Sequence, residues 1–130
     1  MLKPGDVVVV DFPGVTGIKR RPAVVVSSDA YHSARPDVIL GLITSQVASS
    51  IGSTDHALAD WSAAGLRLPS LFRSFLVTVP RTAVYHVAGH LSDQDWLAIR
   101  ETRDRAGSLN EKERLGEARR SGVGFREHHA

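Results

Sequence analysis

Two valine-rich runs near the start of the chain constrain its fold more than any other feature. Val7 to Phe12 is a β-branched stretch closed by Pro13-Gly14, and Pro22 to Ser28 holds three consecutive valines, Val24 to Val26. Valine is stiff at χ1 and packs better on a pleated surface than on a helix, and Pro-Gly ends a strand. Neither run alternates apolar with polar residues. The pair of strands they predict is therefore covered on both faces. Residues 14–20 (Gly-Val-Thr-Gly-Ile-Lys-Arg) read as the loop between them, ending in the basic run Lys19-Arg20-Arg21.

The rest of the chain continues in short strands. Arg35-Pro36-Asp37 is turn chemistry, and Val38 to Thr44 predicts a third strand. Gln46 to Thr54 is small, polar and Gly/Ser-rich, an exposed loop. Residues 57–66 read as a short strand or a turn of helix ending near Gly65. Phe72 to Val79 and Val84 to Leu91 predict two more strands, with a hairpin-type connection at Pro80-Arg81-Thr82. A helix then starts at Ser92 as N-cap, with Asp95 three residues on completing a capping box. Trp96 and Ile99 lie one turn apart on its buried face, and Gly107 is its stop. Trp61 and Trp96 read as core anchors. Five short strands followed by one helix predict a mainly β domain over residues 1–106, a small barrel with a helix packed on it. Residues 107–130 form a charged extension, partly helical from Ser108 or disordered. Its terminal pair His128-His129 cannot build a closed metal site alone.

Composition narrows the class. A chain of 130 residues, 42% hydrophobic and 23% charged, fits one globular domain. The net charge of +2 is too small to mark a polyanion-binding protein, so any RNA-binding charge must be concentrated locally. There is no cysteine, which removes disulfides, thiol nucleophiles and thiolate metal sites. The N-terminal residues lack the apolar core of a signal peptide, and no apolar run approaches the roughly 20 residues that span a bilayer. The default expectation is a cytoplasmic protein with no membrane partner.

One ordered set of motifs reaches further. Gly5-Asp6 opens the first strand and Asp11-Phe12 ends it; Arg21-Pro22-Ala23-Val24-Val25-Val26 heads the second, and Ile43-Thr44-Ser45 closes the third. Asp60-Trp61-x-Ala63-Ala64-Gly65-Leu66, Pro69-Ser70-x-x-Arg73 and Gly89-x-Leu91-Ser92 follow. In this order and spacing the chain resembles the MazF/PemK toxin family, its PemK-like branch in the later motifs, over about residues 4–105. The resemblance implies an SH3-like small β-barrel of the MazF/CcdB type and a homodimer. It implies metal-independent, sequence-selective cleavage of single-stranded RNA, with no cofactor, in an endoribonuclease toxin silenced by a cognate antitoxin. Two departures stand out. The first loop is short and lacks the acidic residue many members carry before Arg-Pro, and the extension has no counterpart in the family pattern.

The chemistry fits those residue types. Metal-free RNA cleavage needs a donor for the charge building on phosphorus oxygens, and arginine meets a phosphate bidentately without ever deprotonating. The resemblance carries the catalytic pair onto Arg21 and Thr44, and the residue types beside them make Phe12, Lys19, Arg20, Ser45 and Arg73 candidate substrate contacts. Each also has a plainer reading. A strand-start arginine is often just solvated, a strand-end threonine is a β-former, and Lys19 and Arg20 are then a solvated loop end. Phe12 either stacks on a base or fills the core. His86 and His90, four apart on one strand, would share a face and open a two-histidine acid–base or metal route, against which a half-exposed strand face accommodates both easily. At the level of function, a non-enzymatic toxin that poisons DNA gyrase and an inactive SH3-like binding module remain the alternatives.

Overall fold

The computed structural model describes residues 1–14, 17–45 and 52–106, and it is mostly β, as the valine runs predict. Strands β1 (Asp6–Gly14), β2 (Gly17–Val25), β3 (Asp37–Thr44), β4 (Asp55–Ala57), β5 (Leu71–Pro80) and β6 (Val84–His90) form one antiparallel sheet in the order β4-β5-β3-β2-β1-β6. A short helix α1 (Asp29–Ala34) joins β2 to β3, and a second helix, α2, occupies residues 93–106. The sheet curls into a half-barrel with α2 following it. The expectations for residues 46–51 and 107–130 lie outside the described residues.

Burial on both faces of β1 and β2 is met by two clusters. Val7, Val24, Val26, Ile43, Phe72 and Leu91 pack with Ile99 of α2 on one face, joined by Trp61 and Trp96 as the sequence predicts. Val8, Val10, Phe12, Ala23, Val25, Val38 and Leu40 pack on the other. Successive valines thus serve opposite cores, which is why neither run alternates with polar residues.

Several expectations are corrected. Among the described residues the sheet has six strands, the extra one being the three-residue β4. The expected loop over residues 14–20 is largely strand. β1 runs through Pro13 and Gly14 and pairs with β2 as far as Gly14↔Gly17, so Ile18, Lys19 and Arg20 are strand residues. Pro13 is tolerated because the β1–β6 ladder ends at Val10↔Val84, which leaves that side of β1 an edge. The connection through Pro80, Arg81 and Thr82 is no hairpin. β5 is flanked by β3 and β4, so β6 pairs with the free edge of β1, and a 3-10 turn at Arg81–Ala83 carries the chain across. Helix α1 is capped by Ser28, whose Oγ accepts from the Tyr31 N–H at 3.1 Å.

Two glycines fix the approach of the 58–66 segment to β6. A Cβ on Gly65, whose φ is +88°, would lie 2.3 Å from the Ala88 carbonyl oxygen, and one on Gly89 would lie 2.2 Å from that of Ala64. The two backbones touch where side chains would stand. At the start of α2, only half of the expected capping box forms. The Asp95 N–H donates to Ser92 Oγ at 3.2 Å, while the Asp95 carboxylate turns away to the 59–60 turn.

Candidate active site

β2 and β3 pair from Val25↔Leu40 to Ala23↔Leu42. Arg21 and Thr44 each lie two residues past the last pair of this ladder. The ladder stops beside Pro22, which has no N–H to donate. Beyond that point Gly17–Pro22 continues as an arm paired with β1. Thr44 is the last residue of β3, paired with Leu71 of β5 and 8% exposed. Arg21 is half-buried opposite Val10, and Ser45 is exposed just past β3.

Strand alternation sorts the remaining predicted residues. Lys19 and Arg21 share a face with Ala23 and Val25, and Lys19 lies opposite Phe12. Arg73 pairs with Leu42 and takes the same face, as does Thr44 by alternation from Leu40 and Leu42. Arg20 does not. It points to the other face, 3.6 Å from the Asp11 carboxylate and 3.8 Å above the Tyr85 ring, while Tyr85 Oη donates to Asp11 at 2.9 Å. The basic run is therefore split: Lys19 and Arg21 go one way, and Arg20 is held by an acid and an aromatic ring.

Phe12 is corrected from stacking platform to core, being 1% exposed within the cluster of Val8 and Val10. An aromatic ring that does reach solvent beside it is Phe75, 47% exposed and edge-on to Phe12 with centroids 5.5 Å apart. Sequence pattern missed it because Phe75 sits in a β5 irregularity, where Leu76 pairs with Gly41 but Arg73 with Leu42. Strands three places apart in a flat sheet lie about 14 Å from each other, so this contact reflects the curl toward the shared face.

The histidines are placed apart. β6 carries two register shifts against β1, so His90 pairs with Asp6 and His86 with Val9, positions on opposite faces of β1. The bulges undo the shared face that simple alternation predicts. His90 Nδ1 donates to Asp6 at 2.8 Å, His56 Nε2 to Asp95 at 2.9 Å, and His32 Nε2 contacts Ser27 Oγ at 2.6 Å. Among the described residues, no three His, Asp or Glu side chains group closely enough to hold a metal ion. A shallow, open depression lined by His32, Arg35, Pro36 and Arg81 lies at the beginning of β3, the opposite end from Thr44.

The sequence model of the PemK-like, MazF-like toxins of type II toxin–antitoxin systems matches residues 3–103. The chain belongs to this toxin family. Solved structures agree on the fold. A mycobacterial endoribonuclease in complex with its cognate antitoxin superposes with a TM-score of 0.68 at 18% identity, over 84% of this chain and 97% of that one. The Mycobacterium tuberculosis toxin MazF-mt6 gives 0.64 at 19% identity, over 79% and 96%. A MazE–MazF structure from Deinococcus radiodurans gives 0.60 at 19%, over 83% and 93%. No curated protein sequence matches the chain. The half-barrel of this PemK-like toxin is thus the SH3-like barrel that the motifs imply.

Proposed function

We propose that this toxin is an endoribonuclease that cuts single-stranded RNA, mRNA included, at short sequence motifs without a metal or cofactor. The observation that supports the reading is that Arg21 and Thr44 each lie two residues past the last β2–β3 pair, Ala23↔Leu42, and by alternation share one face. The ribose 2′-oxygen attacks the adjacent phosphorus and loses its proton. The bond from phosphorus to the 5′-oxygen breaks, and that oxygen gains a proton. A 2′,3′-cyclic phosphate and a 5′-hydroxyl remain. Charge builds on the two non-bridging oxygens, where a guanidinium fork from Arg21 and the Thr44 hydroxyl would act as preorganised donors. Lys19 and Arg73 would hold neighbouring phosphates along the same face, and Ser45, just past the end of β3, a sugar hydroxyl beside it. Arg20, on the other face, would meet RNA only through the flank that Asp11 and Tyr85 share with it.

In this reading the toxin acts in the cytoplasm as a homodimer and is silenced by a cognate antitoxin, as the mycobacterial relative is bound to its own. No described helix is long and apolar enough to cross a membrane. The test is incubation of purified protein with a long RNA in EDTA, followed by mapping of the ends. Discrete cuts bearing 5′-hydroxyl and cyclic-phosphate ends are expected. Intact RNA in EDTA, or 5′-phosphate ends, would overturn the mechanism.

A further inference from the structure

Phe75 is a large aromatic side chain left 47% exposed. It lies in the middle of β5, flanked by residues that pack inward: Phe72 is buried on one face, and Val77 and Val79 pack on the cluster of the other. Alternation from Val77 puts Phe75 on the same face as Arg73, Arg21 and Thr44. Ser74 and Phe75 are the two residues by which β5 outruns β3 between Leu76↔Gly41 and Arg73↔Leu42. That irregularity is pinned from the β4 side. The Ser74 N–H and Ser74 Oγ both donate to the Thr54 carbonyl, at 3.2 and 2.9 Å. Phe12 backs the ring edge-on, its own ring closed off from solvent. The result is an aromatic ring fixed at its backbone, braced on one edge and open to solvent, beside the cationic face.

We propose that Phe75 is the base-stacking platform of this site, holding one unpaired nucleobase of a single-stranded RNA while Arg73 and the Arg21–Thr44 pair engage its backbone. This rests on the endoribonuclease reading and adds the feature of the substrate that the ring recognises. Every base offers a π-face, and an aromatic ring prepaid in position loses little freedom on binding it. A duplex keeps its bases stacked on one another and cannot offer one. The ring therefore selects for single strands and sets which nucleotide, counted from the cut, is gripped.

The test begins with a short RNA carrying the mapped cut motif, with 2′-deoxyribose at the scissile nucleotide so that binding is read without cleavage. Phe75→Ala and Phe75→Leu are compared with Phe75→Trp by fluorescence anisotropy, each checked by circular dichroism. Leucine keeps an apolar contact on Phe12 but removes the π-face. Both Ala and Leu variants are expected to bind about 5- to 100-fold more weakly, and the Trp variant within a few-fold of wild type. The salt dependence should stay unchanged, since no phosphate contact is lost. Indole emission in Phe75→Trp should be quenched by RNA beyond any quenching of the parent. Wild-type binding by Phe75→Leu would show that the ring only packs on Phe12, and would overturn the proposal. So would unchanged RNA binding by Phe75→Ala together with a weakened hold on a protein partner or a second copy. Failure of the wild-type protein to cut or bind RNA would instead sink the endoribonuclease reading itself.

Discussion

Arg21 leaves a strand whose next residue, Pro22, has its φ set by its own ring, so the guanidinium is carried on backbone that barely flexes. Arg21→Ala should lower RNA cleavage at least about a hundredfold, the scale of losing one transition-state donor, and leave the unfolding transition in place. Thr44→Ala should cost less. Near wild-type rates in both folded variants would remove the pair from the mechanism. A second prediction concerns Gly65, where a methyl group would strike the Ala88 carbonyl at a backbone φ of +88°. Gly65→Ala should destabilise the protein by roughly 1–3 kcal/mol, as should Gly89→Ala, visible as lower melting temperatures. The double variant should lose less than the sum, because the first methyl already parts the two backbones. Both glycines are plain in the sequence. Their mutual contact is not, because it joins positions with no periodic relation.

Elements explain what could be read in advance and what could not. The valine runs announced β1 and β2 because burial on both faces leaves a continuous apolar signature. Helix α1 went unseen because six residues hold too little periodicity, although Ser28 and Asp29 are good helix-start residues. Strand membership also redirected the basic run, since residues adjacent in sequence point to opposite faces. The joint of β4, the 59–60 turn and α2 is built on Asp95, fully buried and accepting from the Ala59 N–H (2.9 Å), the Asp60 N–H (2.8 Å) and His56 Nε2 (2.9 Å). Burial pushes its carboxyl up, but those three hydrogen bonds and the charge of His56 outweigh it, and its pKa lies below the ordinary value. A depressed carboxylate contributes stability that is complete above its unfolded pKa of about 3.9 and is lost as pH falls through its lower native value. Thermal stability should accordingly drop in that acid window. Asp95→Asn should be less stable at neutral pH and show a flatter acid limb. An unchanged acid limb in Asp95→Asn would assign the loss to other carboxylates.

At the scale of the whole molecule, the family match ends at residue 103 and α2 is described to residue 106. Beyond Gly107 the sequence carries five basic and four acidic residues, so it adds almost no field to draw RNA. A chain cut after Gly107 should fold, dimerise and cleave at close to the full rate. Loss of cleavage with the fold intact would show that the extension reaches the site. Light scattering at tens of micromolar should return a dimer, and a strictly monomeric mass with full activity would contradict that assembly. The first and last described strands lie side by side: β1 pairs with β6, the Leu91 N–H donates to the Gly5 carbonyl at 2.9 Å, and Asp6 takes His90 across 84 positions of chain. A ribosome adding about 5–20 residues per second releases the second residue of that pair several seconds after the first. The hairpin bearing Arg21 is complete early in synthesis, yet β1 keeps a bare edge until β6 emerges. Each newly made toxin molecule is thus born with a built-in delay, during which its opening strand is available to any other chain that offers one.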